Sequence, residues 1–142
     1  MALNPTGAKT TLGNLFANPV GDEASARSSW KSAIQTLTAA VVPASTTVAA
    51  AAATFETAIT GFNAPSAAQA SLEAALVTFA ATVGTGMAPA FVATPPVAPV
   101  GLSFPTEDNA QDAADAIIDT INTWLKTGTA VPSGGGPPVN WS

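Results

Sequence analysis

The chain has 142 residues, 47% of them apolar and only 9% charged, with nine acidic residues against four basic ones and a net charge of −5. That length and apolar share suit one globular domain rather than a disordered segment, and the scatter of Lys9, Arg27, Lys31 and Lys126 excludes the clustered basic surface on which nucleic-acid binding rests. The chain contains no His, Cys or Tyr, so the usual neutral-pH general base, thiolate chemistry, disulfides and a phenolic acid are missing together, and no catalytic residue, cofactor or metal is expected.

Much of the apolar content is alanine, with only 6 Phe, 3 Trp and 2 Met to supply large side chains. A core of this kind buries little area per residue, so association is expected to be part of the stability. A membrane span needs about 20 consecutive apolar residues, and the longest purely apolar run is Val48 to Ala53. Met1-Ala2-Leu3-Asn4-Pro5 offers neither a basic nor a hydrophobic leader region, which predicts a protein made and kept in a cytoplasm.

Residues 1–21, rich in Asn, Pro, Gly and Thr, read as an N-terminal arm whose short apolar cluster Leu12, Leu15 and Phe16 makes a helical turn or two. A helical domain over residues 22–128 follows. Asp22 caps a first helix at about 22–42, with Glu23 in its positive first turn. Trp30, Ile34, Leu37 and Val41 form its apolar face, and Pro43 stops it. A second helix, at about 46–60, starts where the hydroxyls of Ser45 to Thr47 can accept from free N–H groups, carries Val48, Ala52, Phe55 and Ile59, and ends at Gly61. Ser66 and Gln69 form a capping box for a third helix at about 66–83, with Leu72, Leu76, Phe79 and Val83 on its face and Gly84 closing it.

Periodicity then disappears. From Gly84 to Pro105 five prolines interrupt an apolar stretch that includes Phe91 and Phe104, predicting an extended, polyproline-like crossing laid over the helices or against another chain. Thr106 caps a fourth helix at about 106–127, with Ala110, Ala114, Ile117, Ile121 and Leu125 on its apolar face. Residues 129–142 read as a Gly/Pro-rich tail with Gly134-Gly135-Gly136 as a hinge. The fold class expected is mainly α: a small antiparallel bundle of about four helices with extended N- and C-terminal arms and a Pro-rich crossing segment.

One charged constellation stands out. Asp108, Asp112, Asp115 and Asp119 recur at helical spacing and share one face. Such a strip can attract a divalent cation or a basic partner, because stacked carboxylates repel; the plainer reading is a solvated face opposite the apolar stripe. Trp30 and Trp124 sit on apolar faces as core residues, whereas Trp141, close to the end of a Gly/Pro tail, either anchors an intermolecular contact or folds back on its own domain. The interface candidates are Leu12, Leu15, Phe16, Phe91, Phe104, Val139 and Trp141.

The tryptophan-bearing first helix followed by Ala39-Ala40-Val41-Val42-Pro43, together with Trp124-Leu125-Lys126-Thr127-Gly128-Thr129-Ala130 and the closing Gly136-Pro137-Pro138-Val139-Asn140-Trp141-Ser142, resembles small Ala-rich helical proteins of tailed, contractile bacteriophage particles. The resemblance implies a virion protein present in several copies around a symmetric axis, in the tail, baseplate or neck, with no catalytic residues. The expected function is therefore a structural subunit whose partners are other copies of itself and other structural proteins, with neither nucleic acid nor membrane among them. The alternative is a soluble adaptor or chaperone-like module that docks partners on the segment from Gly84 to Pro105.

Overall fold

The computed structural model describes residues 2–18, 22–60, 65–97, 100–102 and 109–142. Among them it is mainly helical, with a small antiparallel sheet: helices α1 (Pro5–Ala17), α2 (Glu23–Thr38), α3 (Val48–Ala58), α4 (Pro65–Thr85) and α5 (Ala110–Leu125), and strands β1 (Phe91–Thr94), β2 (Thr129–Pro132) and β3 (Val139–Asn140).

The helices follow one another around a thin core. α1 packs against both α5 and α2, α2 against α3, α3 against α4, and β1 lies on α4. β2, which begins a few residues after α5, pairs with β1 and closes the circle. Neighbouring helices run antiparallel, as their cross-contacts require. The Asn4 N–H at the start of α1 donates to the Leu37 carbonyl at the end of α2 over 2.8 Å. Ser71, early in α4, donates to Ala58 at the end of α3, while Thr47, just before α3, donates to Thr82 near the end of α4. Two edge-to-face aromatic pairs tie the layers, Phe16 on Trp30 with centroids 6.0 Å apart and Phe55 on Phe79 at 6.1 Å.

The expected N-terminal arm is instead a helix of the core. Asn4 caps it by accepting from the Gly7 N–H at 3.1 Å, and Pro5 occupies the first helical position, where its missing N–H costs nothing. Leu3, Ala8 and Leu12 are buried. The glycines that suggested an irregular segment are sites of close approach: a β-carbon at Gly13 would overlap the Gln111 amide, and one at Gly7 would stand 2.7 Å from Thr36 Cγ2. Small residues let α5 and α2 come close on either side of α1.

The Asp22 cap is where the sequence places it, but other helix boundaries differ from the periodic reading, and the first predicted helix, expected to run to about 42, ends at Thr38. α2 begins after Asp22, whose carboxylate accepts from the Ser25 N–H at 2.7 Å. The hydroxyls of Ser45 and Thr47 do not cap α3. They donate across the fold to the last carbonyls of α4, Ser45 Oγ to Val83 O at 2.7 Å and Thr47 Oγ1 to Thr82 O at 2.6 Å. α4 runs through Gly84 to Thr85 rather than closing there. The N-cap of α5 is Asn109, whose side chain accepts from Gln111 and Asp112; the proposed cap Thr106 lies outside the described residues, as do Gly61 and the side chain of Ser66.

The apolar crossing is partly a strand. Phe91–Thr94 pairs antiparallel with Thr129–Pro132, from Phe91 opposite Pro132 to Thr94 opposite Thr129. Further along, Leu102 is held by two side chains one turn apart on α4: Gln69 Nε2 donates to its carbonyl at 2.6 Å, and its N–H donates to Glu73 Oε1 at 2.8 Å. Val100 and Leu102 are thereby buried against the helices.

The C-terminal residues are not a free tail. β3 adds to the sheet with Ala130 opposite Val139. Ser142 and Val42 then exchange both backbone hydrogen bonds, at 2.8 and 3.0 Å, so the last residue of the sequence is stitched to the loop between α2 and α3.

Candidate functional site

Trp141 is 1% exposed. Its N–H donates to Gly128 O at 2.9 Å, and its indole Nε1–H to Thr129 O at 3.2 Å. The ring rests between Gly128 and Gly84: a β-carbon at Gly128 would lie 2.7 Å from the ring and one at Gly84 3.4 Å from it. Of the two readings of this tryptophan, the structure takes the second, folding back on its own domain.

The other interface candidates separate in the same way. Leu12 is fully buried, and Leu15, Phe16 and Phe91 are partly buried against the core, so none of the four stands free as an arm residue. Val139 is exposed on the edge strand. Phe104 lies outside the described residues.

The acidic strip is divided between solvent and α1. Asp112 is exposed in the first turn of α5. Asp115 accepts from Gln111 Nε2 at 2.7 Å, and the same amide nitrogen donates to Lys9 O of α1 at 3.1 Å. Asp119 pairs with Lys9 Nζ at 2.7 Å. That bond raises the lysine's pKa; desolvation opposes it, and the Coulombic attraction of Asp119 and then Asp115 adds to the rise. The face is thus not wholly solvated: Asp115 and Asp119 help hold α5 on α1, the segment that the sequence alone marks as an arm. Asp108 lies outside the described residues. Among the described residues no three His, Cys, Asp or Glu side chains are grouped as metal ligands would be.

Some apolar side chains remain exposed. Six large hydrophobic side chains are exposed among the described residues, and all are valines. Val92 at 65% and Val131 at 38% stand directly opposite each other on the outward face of β1 and β2. Val97 at 81% follows β1, Val139 lies in β3, and Val42 is the residue paired with Ser142; only Val77, on α4, lies away from the sheet. Beside them an open groove of about 400 Å³ runs between the end of α4 and the edge of β1 away from β2, floored by Ala81, Gly84 and Ala88 and walled by Phe91, Ala93 and Pro95. Sequence reasoning singled out Phe91 and Val139 in this region but not the Val92–Val131 pair. A four-residue strand flanked by prolines gives too short an alternation to identify, and its partner strand lies far along the chain.

No protein-family model, curated protein or solved structure matches this chain. No helix among the described residues is long and apolar enough to cross a membrane.

Proposed function

We propose that this protein is a non-enzymatic structural subunit of a multi-subunit assembly, of the kind found in the tail, baseplate or neck of a contractile bacteriophage particle, and that it meets its neighbours at the three-stranded sheet. The observation that carries the reading is the placement of exposed apolar surface: five of the six exposed valines lie on or beside the sheet. Of these, Val92 and Val131 share one face as a cross-strand pair, and apolar side chains exposed together mark an association face, whereas scattered single ones need no partner. The low charge of the chain supports it, since interface centres are depleted of charge. The partners are other copies of the chain and other proteins of the particle.

The test is light scattering coupled to size-exclusion chromatography on the full chain and on Val92→Lys/Val131→Lys. Wild type is expected to associate as concentration rises and the double variant to remain monomeric with unchanged helical circular dichroism. A wild-type protein that stays monomeric and is absent from purified particles at fixed copy number counts against the reading.

The groove between α4 and β1 favours a second reading, an adaptor that takes an extended apolar segment along the edge of β1 that pairs with no strand among the described residues. An adaptor washes off a purified particle; a structural subunit remains.

A further inference from the structure

We propose that residues 134–142 exchange between copies of this chain, so that Trp141 of one copy seats between Gly84 and Gly128 of the next. This rests on the structural-subunit reading and deepens it, by naming the segment and the socket through which neighbours are joined.

The segment is held by a short, transferable set of bonds. Trp141 donates to Gly128 O and Thr129 O, Asn140 Nδ2 donates to Lys126 O at 3.1 Å, and Ser142 pairs both ways with Val42. Every one of these acceptors and donors belongs to the body of the domain rather than to the segment. A second copy's segment meets the same partners in the same geometry, so exchange leaves the hydrogen bonding and the burial of the indole unchanged. β3 itself is only two residues long, and residues 133–140 are exposed throughout, so little else resists opening.

The hinge has a defined start. Ser133 is fixed to the body, its N–H donating to Ala90 O at 2.9 Å and its hydroxyl to Pro89 O at 2.5 Å. Immediately after it come three glycines. Gly135 and Gly136 have φ of +91° and +142°, which the folded-back turn requires, but Gly134 does not have a left-handed φ and would meet nothing within 4 Å if it carried a β-carbon. The closed turn therefore gives no reason for glycine at 134; its effect is to widen the range of directions in which the segment can leave. Opening breaks the turn bond from the Gly135 N–H to Pro132 O.

Concentration then decides the partner. A short flexible linker presents its own segment at an effective concentration on the order of millimolar, so a dilute chain stays closed on itself. Copies packed side by side in a particle meet at comparable local concentrations, and there the neighbour's socket competes.

The absence of native cysteine allows a direct test. Thr129 and Asn140 stand opposite each other across β2 and β3. Full-length Thr129→Cys and Asn140→Cys copies are mixed at high concentration, incubated and oxidised, with Thr129→Cys/Asn140→Cys as the intrachain reference. Exchange yields a reducible mixed dimer in clear excess over that formed by either single variant alone. If the reference oxidises within the chain while the mixture stays reduced, exchange is overturned; light scattering on wild type separately decides whether the subunit still associates through the sheet. Deleting Gly134–Gly136 leaves Pro132-Ser133-Pro137-Pro138, too stiff to reverse direction, and is expected to force dimers or larger species. A helical monomer from that deletion also overturns the proposal.

Discussion

A β-carbon on Gly128 would stand 2.7 Å from Cδ2 of Trp141 and 3.0 Å from Cδ of Pro96, so this glycine is the floor on which the buried indole rests. The relationship joins three parts of the chain: the turn after α5, the segment after β1 and the residue that follows β3. A methyl group there has no free direction in which to move, because it meets a ring on one side and a proline on the other.

Gly128→Ala is therefore expected to destabilise the fold by about 1–3 kcal/mol through overpacking, and Trp141→Ala by about 3–5 kcal/mol through the lost ring and the cavity it leaves. Gly84→Ala provides the contrast. Its β-carbon would meet Ala93 at 3.3 Å and the indole at 3.4 Å, tight but not overlapping, and its site is in the last turn of a helix, where alanine gains part of the roughly 1 kcal/mol it has over glycine in a helix interior. Urea unfolding followed by tryptophan fluorescence should rank the variants as Trp141→Ala below Gly128→Ala below Gly84→Ala, with the last near wild type. A wild-type midpoint for Gly128→Ala would remove Gly128 from this role.

Ser45 and Thr47 supply a second long-range junction. Their hydroxyls reach carbonyls in the last turn of α4, across 38 and 35 residues of sequence, and add to the bonds those carbonyls accept from Gly86 N–H and the Thr85 hydroxyl. Thr47→Val keeps the shape and removes the donor, so a loss of about 0.5–1.5 kcal/mol is expected, and Ser45→Ala should cost a similar amount. The two share neighbours through their own 3.2 Å contact, so the double variant should depart from additivity. Thermal unfolding of the four proteins completes the cycle. Additive losses would mean that the two hydroxyls act independently.

These junctions show where reading the sequence stops. The apolar faces of α2, α3, α4 and α5 were legible because each repeats at helical spacing, and apart from the half-buried Ala110 the residues on those faces are buried, from Trp30 and Ile34 to Ile121 and Leu125. Asp22 was legible as a cap because its acceptor and the N–H it takes are three residues apart. α1 was not, since its core side is built from Ala8, Leu12 and close-contact glycines, which carry little hydrophobic signal and resemble loop composition. Nor was the folded-back end of the chain, because the sites that receive Trp141 and Ser142 lie at Gly84, Gly128 and Val42, and no local pattern records a pairing over such separations. Ser45 and Thr47 were recognised as capping residues but assigned to the wrong helix for the same reason.

Asp22 gives the pH prediction. The Ser25 N–H and then the Ser25 hydroxyl bond to its carboxylate, and both hold its pKa below the ordinary aspartate value. A group whose pKa is lowered on folding contributes stability that is fully present above its unfolded-state value and is lost as pH falls through the folded-state value. The N-terminal half-charge of α2 acts in the same direction, favouring the ionised form at the cap. Acidification from neutral pH should therefore weaken the start of α2 at the lower end of the carboxylate range, where Asp22 takes up its proton. Asp22→Asn keeps an acceptor oxygen suited to capping but cannot titrate. Its thermal midpoint should lie close to wild type once both are acidified below that range, and below wild type at neutral pH, with a shallower acid limb between. Asp22→Ala, which loses the acceptor altogether, should fall below wild type at every pH. Parallel curves for wild type and Asp22→Asn across the acid limb would show that the bonds from Ser25 do not distinguish the charged carboxylate from a neutral amide.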